Sequence, residues 1–300
     1  METSPSNPLA GMFWMLVSGF CFVAVTAIVK YTGDRVPAAQ SAFLRYLMGL
    51  VFLLPAIRPL MRVRLTARQW RLFTFRGACH AGGVILWFFA MTQIPIAEVT
   101  AMNYLAPVYV SIGADFVLGE RLAARRIGAI IAALIGTAII LRPGFREIED
   151  GHLAMLLCAV VFAGGYLAAK ILADEVPAVV VVSMLSIFVT VFLAPVALAV
   201  WVTPTMAELG LLFAVAFCAT AGHYTMTLAF AAAPVSVTQP VTFLQLVWAT
   251  LLGALVFAEP VDIWVVFGGT VIVAAVSFIT WRESVLRRRA ITPPSPATKF

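Results

Sequence analysis

Charged residues are scarce in this sequence: only 11% of its 300 residues are Asp, Glu, Lys or Arg. Soluble domains carry roughly 25%, so a water-soluble globule is excluded. None of these four residue types occurs in residues 209–258, a stretch more than twice as long as the ~20 apolar residues that a membrane helix needs. We therefore expect most of the chain to lie in a lipid bilayer.

Cysteine is also rare, and the four cysteines all fall inside apolar segments without paired spacing. This pattern excludes a disulfide framework and a cysteine-based metal site. The sequence also lacks a Walker loop, a zinc-binding pair on one helix and a Ser-His-Asp order. We expect no enzymatic activity, no cofactor, no metal and no nucleic-acid partner. A membrane-embedded enzyme or sensor, the alternative from another class, would need a catalytic constellation or a signalling domain, and the sequence shows neither.

Apolar residues, in contrast, make up 62% of the chain, and the mean hydropathy is +1.01. Charges, prolines and polar breaks divide them into ten spans, each long enough, or nearly so, to cross a ~30 Å hydrocarbon core as a helix. The sequence therefore predicts an all-α integral membrane protein. The ten predicted spans are residues 11–29, 38–57, 72–92, 97–118, 127–142, 152–172, 178–201, 208–231, 234–257 and 262–281.

The basic residues predict the orientation of the spans. With a cytoplasmic N-terminus, fifteen Lys and Arg residues fall in the inner loops and tail and four in the outer loops, while Arg45 lies inside the second span. This asymmetry satisfies the positive-inside rule. We expect a multi-pass protein of the bacterial inner membrane with both termini in the cytoplasm.

The two halves of the chain repeat one another. When the second half is aligned with the first at an offset of 140 or 139 residues, several identical pairs occur that apolar composition does not explain. These pairs are Lys30 and Lys170, Asp34 and Asp174, Pro37 and Pro177, Pro95 and Pro234, and Glu120 and Glu259. The predicted domains are residues 11–143 and 151–283, with a disordered cytoplasmic tail at 284–300. Since each half has five spans, the second must enter the membrane from the opposite side. Such inverted repeats are typical of secondary transporters that expose one site alternately to either side.

Specific stretches of the two halves resemble a known family. The first half has Pro95, the Asn103 to Val108 stretch and Glu120; the second has Pro234, the stretch 239–249 (QPVTFLQLVWA) and Glu259. Over residues 11–283 this pattern resembles the drug/metabolite transporter superfamily, specifically its EamA-type ten-helix carriers. The resemblance implies an inner-membrane carrier of a small organic metabolite, with a central cavity lined by both halves. Pro107 departs from the internal symmetry, because its offset position is Leu246.

The stretch 239–249 and the span containing Arg45 also resemble the branch that includes riboflavin and S-adenosylmethionine importers. Riboflavin uptake by alternating access is the specific function that this resemblance implies. S-adenosylmethionine import and export of amino acids or other metabolites are the alternatives. The expected partners are the small-molecule substrate and the bilayer, and no oligomeric state follows from the sequence.

Polar residues inside the spans are the candidate site, because they are costly in hydrocarbon. Thr100, Asn103 and Ser111 share a helical face in the fourth span, and the ninth span repeats the pattern with Gln239, Thr242 and Thr250. These two polar faces either line a cavity or form hydrogen bonds to neighbouring helices. The predicted substrate-binding residues are Asn103, Tyr104, Gln239, Thr242, Gln245, Trp248, Trp87, Tyr166 and Arg45.

Each of these residues has an alternative structural role. Arg45 either binds an anionic or carbonyl-bearing substrate or snorkels to water, and the aromatic rings either stack on a flat substrate or pack in the core. The histidines either respond to protons near neutral pH or bond neighbouring helices. The prolines interrupt helical hydrogen bonding with or without a gating role. The predicted coupling or gating residues are His80, His223, Asp115, Pro107 and Pro240.

Overall fold

The computed structural model describes residues 7–118, 124–145, 147–173, 175–233, 238, 241–242 and 244–291. Within these ranges the chain is helical and contains no β-strand. Eight helices are long and apolar enough to cross a membrane. The helices are α1 Pro8–Thr32, α2 Ala38–Gly49, α3 Ile57–Arg62, α4 Ala67–Gln93, α5 Ile96–Asn103, α6 Ala106–Leu118, α7 Ala124–Leu141, α8 Asp150–Ala173, α9 Ala178–Ala199, α10 Met206–Ala232, α11 Leu244–Phe257 and α12 Ile263–Ile291.

Two predicted spans are not single α-helices. The fourth, predicted at 97–118, is interrupted at Tyr104 and Leu105, between α5 and α6. Pro107 lacks the amide hydrogen that would bond the Asn103 carbonyl, which favours a break one turn before it. The second span continues from α2 into a 3-10 helix, Leu50–Ala56, that contains Pro55. The described part of the ninth span is mainly α11, which is shorter than predicted.

The helix ends reproduce the internal repeat of the sequence. Thr66 and Gln69 form a capping box at the start of α4, and Thr205 and Glu208 form the same box at the start of α10. In each box the threonine hydroxyl accepts a hydrogen bond from the backbone amide of the third helical residue. The side chain of that residue accepts one from the threonine amide. The two boxes are separated by the offset of 139 that aligns the two halves.

The main helix pairs each join one helix of the first half to one helix of the second. α1 packs on α10 and α8 packs on α4, while α2 packs on α9, α5 on α11 and α7 on α12. Glycines allow close approach in these pairs: a Cβ at Gly11 would lie 2.4 Å from Ala233 Cβ, and one at Gly151 would lie 2.7 Å from Ile94 Cγ2. These two contacts relate corresponding positions of the halves. Small residues at such crossings are typical of membrane helix bundles.

The outside of the bundle is apolar. Leu255 is 82% exposed and Ile263 69% exposed, and many other large hydrophobic side chains share this surface. Soluble monomers rarely expose contiguous apolar patches above a few hundred Å², whereas a bilayer solvates such side chains. Together with the eight long apolar helices, this surface makes the chain a multi-pass membrane protein. The last helix continues to Ile291, so it extends into the predicted disordered tail.

Candidate functional site

Arg45, Tyr46 and His80 form the centre of the candidate site. The guanidinium carbon of Arg45 on α2 lies 4.0 Å from the centroid of the Tyr46 ring. The Tyr46 hydroxyl is hydrogen-bonded to His80 Nε2 on α4 at 2.8 Å. Arg45 is only 8% exposed, so it lies inside the bundle. A guanidinium over an aromatic face is stabilised by the ring quadrupole, which offsets part of its desolvation.

Arg76 adds a second guanidinium that sequence reasoning missed. The predicted third span, residues 72–92, contains this residue, but the orientation count grouped it with the basic residues of an inner loop. The loop assignment is wrong: α4 begins at Ala67, which places Arg76 within the helix, and its side chain is buried. Arg76 donates a hydrogen bond to the Val181 carbonyl oxygen on α9 at 2.9 Å. The capping box at Thr66 was the sequence signal for the earlier helix start.

His223 on α10 faces the same region from the opposite side. Its ring makes an edge-to-face contact with Phe22 on α1 at 5.0 Å between centroids. His223 also lies within electrostatic range of Arg45, Arg76 and His80. The side chain is exposed although groups from α1, α2 and α4 surround it. His223 therefore lies on an accessible wall beside these groups.

Aromatic rings from α8 continue this wall. The Phe162 ring centroid lies 4.9 Å from that of His80 and 5.9 Å from that of Tyr166. Tyr166 is 42% exposed, so its ring face is available for contact. Aromatic faces at such distances can stack on a planar substrate.

A second group of predicted residues surrounds α11 and the broken fourth span. The Tyr104 hydroxyl donates to the Thr242 carbonyl oxygen at 2.8 Å, and Trp248 packs on Phe20 of α1 with centroids 4.9 Å apart. The buried Trp248 Nε1 has no acceptor among the described residues. Because an unmet buried donor is costly, this atom is a candidate contact for a substrate oxygen.

The remaining predicted residues are not all brought together. Asn103 and Gln245 are half-buried beside this second group, and Trp87 packs on the main hydrophobic core. Thr100 and Thr250 donate to the carbonyl oxygens one turn earlier in their own helices, so these two hydroxyls are satisfied locally. Pro107 is exposed next to the helix break. The side chains of Asp115, Gln239 and Pro240 lie outside the described residues.

Lys30 and Glu259 join the two halves at one end of the bundle, which we call the Lys30 end. Lys30 Nζ lies 2.5 Å from Glu259 Oε1 and donates to the Ile94 carbonyl oxygen at 2.9 Å. The Ile96 amide donates to Glu259 Oε2 at 3.0 Å. Glu259 therefore takes part in a salt bridge between the two halves. These contacts join the two halves around the Pro95 turn.

A cavity of about 360 Å³ also opens at the Lys30 end, between α1, α2, α4 and α10. Its lining includes Thr32, Asp34, Ser41, Phe88 and Gln93, and it contains none of the predicted site residues. It is separate from the groups around His80 and Trp248. We place the candidate site at those groups because charged and aromatic side chains converge there.

A family model described as the EamA-like transporter family matches residues 9–142 and 150–281. The chain belongs to the EamA-like transporter family. The resemblance to EamA-type carriers inferred from the Pro95, Glu120 and Glu259 pattern is thereby confirmed.

This EamA-family chain is similar along nearly its whole length to several bacterial proteins named as transporters. It is 30% identical to the riboflavin transporter of Vibrio cholerae, covering 94% of this chain and 97% of the relative. It is 29% identical to the riboflavin transporter of Rhizobium johnstonii, covering 96% and 97%. It is 26% identical to the S-adenosylmethionine uptake transporter of Rickettsia prowazekii, covering 94% and 96%. Family and relatives indicate that the chain is a transporter.

Proposed function

We propose that this EamA-family transporter takes up riboflavin across the bacterial inner membrane by alternating access. The observation that carries the proposal is the charge of the candidate site. Arg45 and Arg76 are both buried in the bundle, and Arg45 lies over the ring of Tyr46, whose hydroxyl is hydrogen-bonded to His80. Two guanidinium groups favour a neutral or anionic substrate rich in carbonyl oxygens and repel a cationic one.

The aromatic wall favours a planar substrate. His80, Phe162 and Tyr166 form a continuous row of rings, and the Tyr46 hydroxyl is hydrogen-bonded to His80. A flat heterocycle would stack on this row while its carbonyl oxygens accept hydrogen bonds from Arg45 or Trp248. Riboflavin has a planar ring system of this kind and no positive charge. S-adenosylmethionine carries a sulfonium and an ammonium group, which this arrangement of guanidinium groups disfavours.

Alternating access is supported by the packing of helices of one half on corresponding helices of the other. α1 packs on α10 as α8 packs on α4, and the two capping boxes are related by the same offset. We propose that the halves, residues 11–143 and 151–283, are inverted five-span repeats with both termini in the cytoplasm. The Lys30 end then faces outward, and Lys30 and Glu259 hold it closed. Opening would require this bridge to separate and the Pro95 turn to move away from α11.

Growth of a riboflavin auxotroph that lacks its own importer tests the substrate. Cells are supplied with limiting external riboflavin, with and without this protein. We expect rescue by the unchanged protein and by Arg71→Met, because Arg71 is an exposed residue on the same helix as Arg76. We expect no rescue by Arg76→Met or by the double variant Asn103→Ala and Gln245→Ala.

The outcome is interpreted together with protein levels in the membrane fraction. Absence of rescue despite normal levels of the unchanged protein would contradict riboflavin uptake and leave the transporter family unaffected. Uptake of S-adenosylmethionine and export of amino acids would then be tested in the same strains. Rescue by both site variants would instead move the substrate site away from the groups around His80 and Trp248.

A further inference from the structure

A second ion pair joins the two halves at the Lys30 end. Arg35 lies just after α1 in the first half, and Glu208 lies in the first turn of α10 in the second half. Arg35 Nε donates to Glu208 Oε1 at 2.5 Å, and a terminal nitrogen of Arg35 donates to Glu208 Oε2. Such bidentate contacts are geometrically specific. The pair therefore fixes the loop after α1 to the start of α10.

Another ion pair joins the halves at the opposite end of the bundle. Glu175 lies just after α8 in the second half, and its carboxylate pairs with Arg68 in the first turn of α4. The second oxygen of Glu175 accepts a hydrogen bond from Gln69 Nε2 at 3.2 Å. The last turn of α4 lies at the Lys30 end, where Lys30 donates to the Ile94 carbonyl oxygen. Because α4 is 27 residues long, its first turn lies roughly 40 Å from that end.

The two ion pairs occupy equivalent positions of the internal repeat, with their charges exchanged. Arg35 corresponds to Glu175 at an offset of 140, and Gln69 corresponds to Glu208 at an offset of 139. In both pairs, a loop residue of one half contacts the capping box at the start of a helix of the other half. The loop carries the positive charge at the Lys30 end and the negative charge at the opposite end. An equivalent contact therefore occurs once at each end.

A further set of equivalent positions meets at the two ends. Gln40 Nε2 on α2 donates to the Val202 carbonyl oxygen at 2.6 Å, and the Val202 amide donates to Gln40 Oε1 at 2.8 Å. The positions that correspond to Gln40 and Val202 in the repeat are Val180 and Val63. These two valines belong to one hydrophobic cluster around Phe73. The segments before α10 and α4 thus pack on equivalent positions of α2 and α9.

Both ion pairs are exposed enough to form and break readily. The side chains of Arg35 and Arg68 are 48% and 58% exposed, and ion pairs exposed to water contribute little to stability. Each pair nevertheless connects the two halves at one end only. If the halves move so that this end opens, its two partners separate while the pair at the other end stays intact. A weak contact of this kind shifts the balance between two states without locking either.

We propose that the two ion pairs are latches that set which end of the transporter is open. Loss of the Arg35–Glu208 latch favours opening at the Lys30 end, and loss of the Arg68–Glu175 latch favours opening at the opposite end. Because alternating access opens one end at a time, opening of one end accompanies closure of the other. The proposal rests on the proposed function for alternating access. It depends neither on riboflavin nor on which end faces outward, so it is tested without a substrate.

Two buried residues at equivalent positions report the opening. Ser41 on α2 lines the cavity at the Lys30 end, and Val181 on α9 belongs to the hydrophobic cluster at the opposite end. They correspond to one another at the offset of 140. Ser41→Cys and Val181→Cys each add one thiol. The purified proteins are placed in lipid nanodiscs, where both ends face water, and treated with a membrane-impermeant maleimide. Labelling of the four native cysteines in the parent protein is subtracted.

Substitutions in the latch at the Lys30 end should change the two labelling rates in opposite directions. Arg35→Met and Glu208→Gln should each raise the rate of the Ser41→Cys protein about two- to fivefold, as expected for an exposed ion pair, and lower that of the Val181→Cys protein. The second substitution keeps the capping box, which Gln69 forms in α4. A direct electrostatic effect on the thiol would have opposite signs for the two substitutions, so a shared sign identifies the latch.

The latch at the opposite end gives the reverse expectation. Arg68→Met should raise the labelling rate of the Val181→Cys protein and lower that of the Ser41→Cys protein. The charge exchange Arg68→Glu with Glu175→Arg should restore the parent rates, because the ion pair can form again with its charges reversed.

Two controls neutralise exposed residues near the latches. Glu147 lies just before α8 and Arg64 lies just before α4. Glu147→Gln and Arg64→Met should leave both labelling rates unchanged.

The contrary outcomes are specific. Faster labelling at both reporters would show that the ion pairs only stabilise the fold, and faster labelling at one reporter without slower labelling at the other would show that the ends open independently. Either result, or no change at all, would overturn the latches. Reciprocal changes would support the latches even if the transported metabolite is not riboflavin. Growth rescue by riboflavin without reciprocal changes would refute the latches and leave the proposed function standing.

Discussion

Lys30 Nζ lies 2.5 Å from Glu259 Oε1, although the two residues belong to opposite halves of the sequence. Their side chains are only 19% and 11% exposed, so the pair is screened less than a surface salt bridge. Because removal of one partner leaves the other charge without compensation, a single substitution costs more than the net contribution of the pair.

We predict that Lys30→Met lowers the free energy of unfolding by about 2 kcal/mol, less than the ~3–5 kcal/mol expected for a fully buried pair. Glu259→Gln should have a similar effect, and the double substitution should cost less than the sum of the two. Thermal unfolding in detergent, arranged as a double-mutant cycle, measures this coupling. Additive effects would show that the two charges do not stabilise one another.

Arg45 provides a test of the candidate site by transport kinetics. Arg45→Met should raise the KM for riboflavin about tenfold, equivalent to ~1.4 kcal/mol, because the guanidinium no longer donates to the substrate. Arg45→Lys keeps the charge and should have an intermediate effect. Arg62→Met, at an exposed position, is the control. A KM unaffected by Arg45→Met would assign this residue a structural role.

Substitution by alanine at two glycines of α7 should change the stability of the protein in opposite directions. A Cβ at Gly136 would lie 2.7 Å from the Gly268 carbonyl oxygen on α12, whereas a Cβ at Gly128 would have no neighbour within 4 Å. Gly136→Ala should therefore destabilise the protein by roughly 1–3 kcal/mol, as overpacking does. Gly128→Ala should be neutral or stabilise it by up to ~1 kcal/mol. Similar melting temperatures for the two variants would contradict the close packing of α7 on α12.

Ala258 occupies a backbone conformation that favours glycine. Its φ is 53°, and the next amide, of Glu259, donates to the Gly253 carbonyl oxygen at 3.0 Å. A side chain in this left-handed region costs roughly 1–2 kcal/mol. Ala258→Gly should raise the melting temperature and leave the bridge to Lys30 intact. A lower melting temperature would show that the Ala258 methyl group contributes more by packing than it costs in strain.

Much of the fold was predictable because hydrophobic length and internal repetition are properties of the sequence. Pro37 and Pro177 precede α2 and α9 as their spacing indicated, and the long apolar runs became long helices. Arg76 was counted with a basic inner loop although the predicted third span contains it, and Thr66 and Gln69 supplied a capping signal for the earlier start of α4. The break at Tyr104 was only partly foreseeable: Pro107 indicated an interruption without fixing its residue.

The pairings between halves were not predictable, because they depend on how the helices pack. His152 lies near the start of α8, and its partner Glu98 is on α5. Likewise, Tyr46 showed no polar pattern, yet it joins Arg45 and His80. One sequence without its three-dimensional packing contains no signal for contacts over such separations.

Counterflow in proteoliposomes tests the central claim most directly. Liposomes containing the purified protein are loaded with unlabelled riboflavin and diluted into a trace of labelled riboflavin. We predict transient accumulation of label that Arg76→Met abolishes, that Arg71→Met retains, and that internal S-adenosylmethionine does not support. Accumulation driven by S-adenosylmethionine and not by riboflavin would contradict a site selective for a neutral planar substrate.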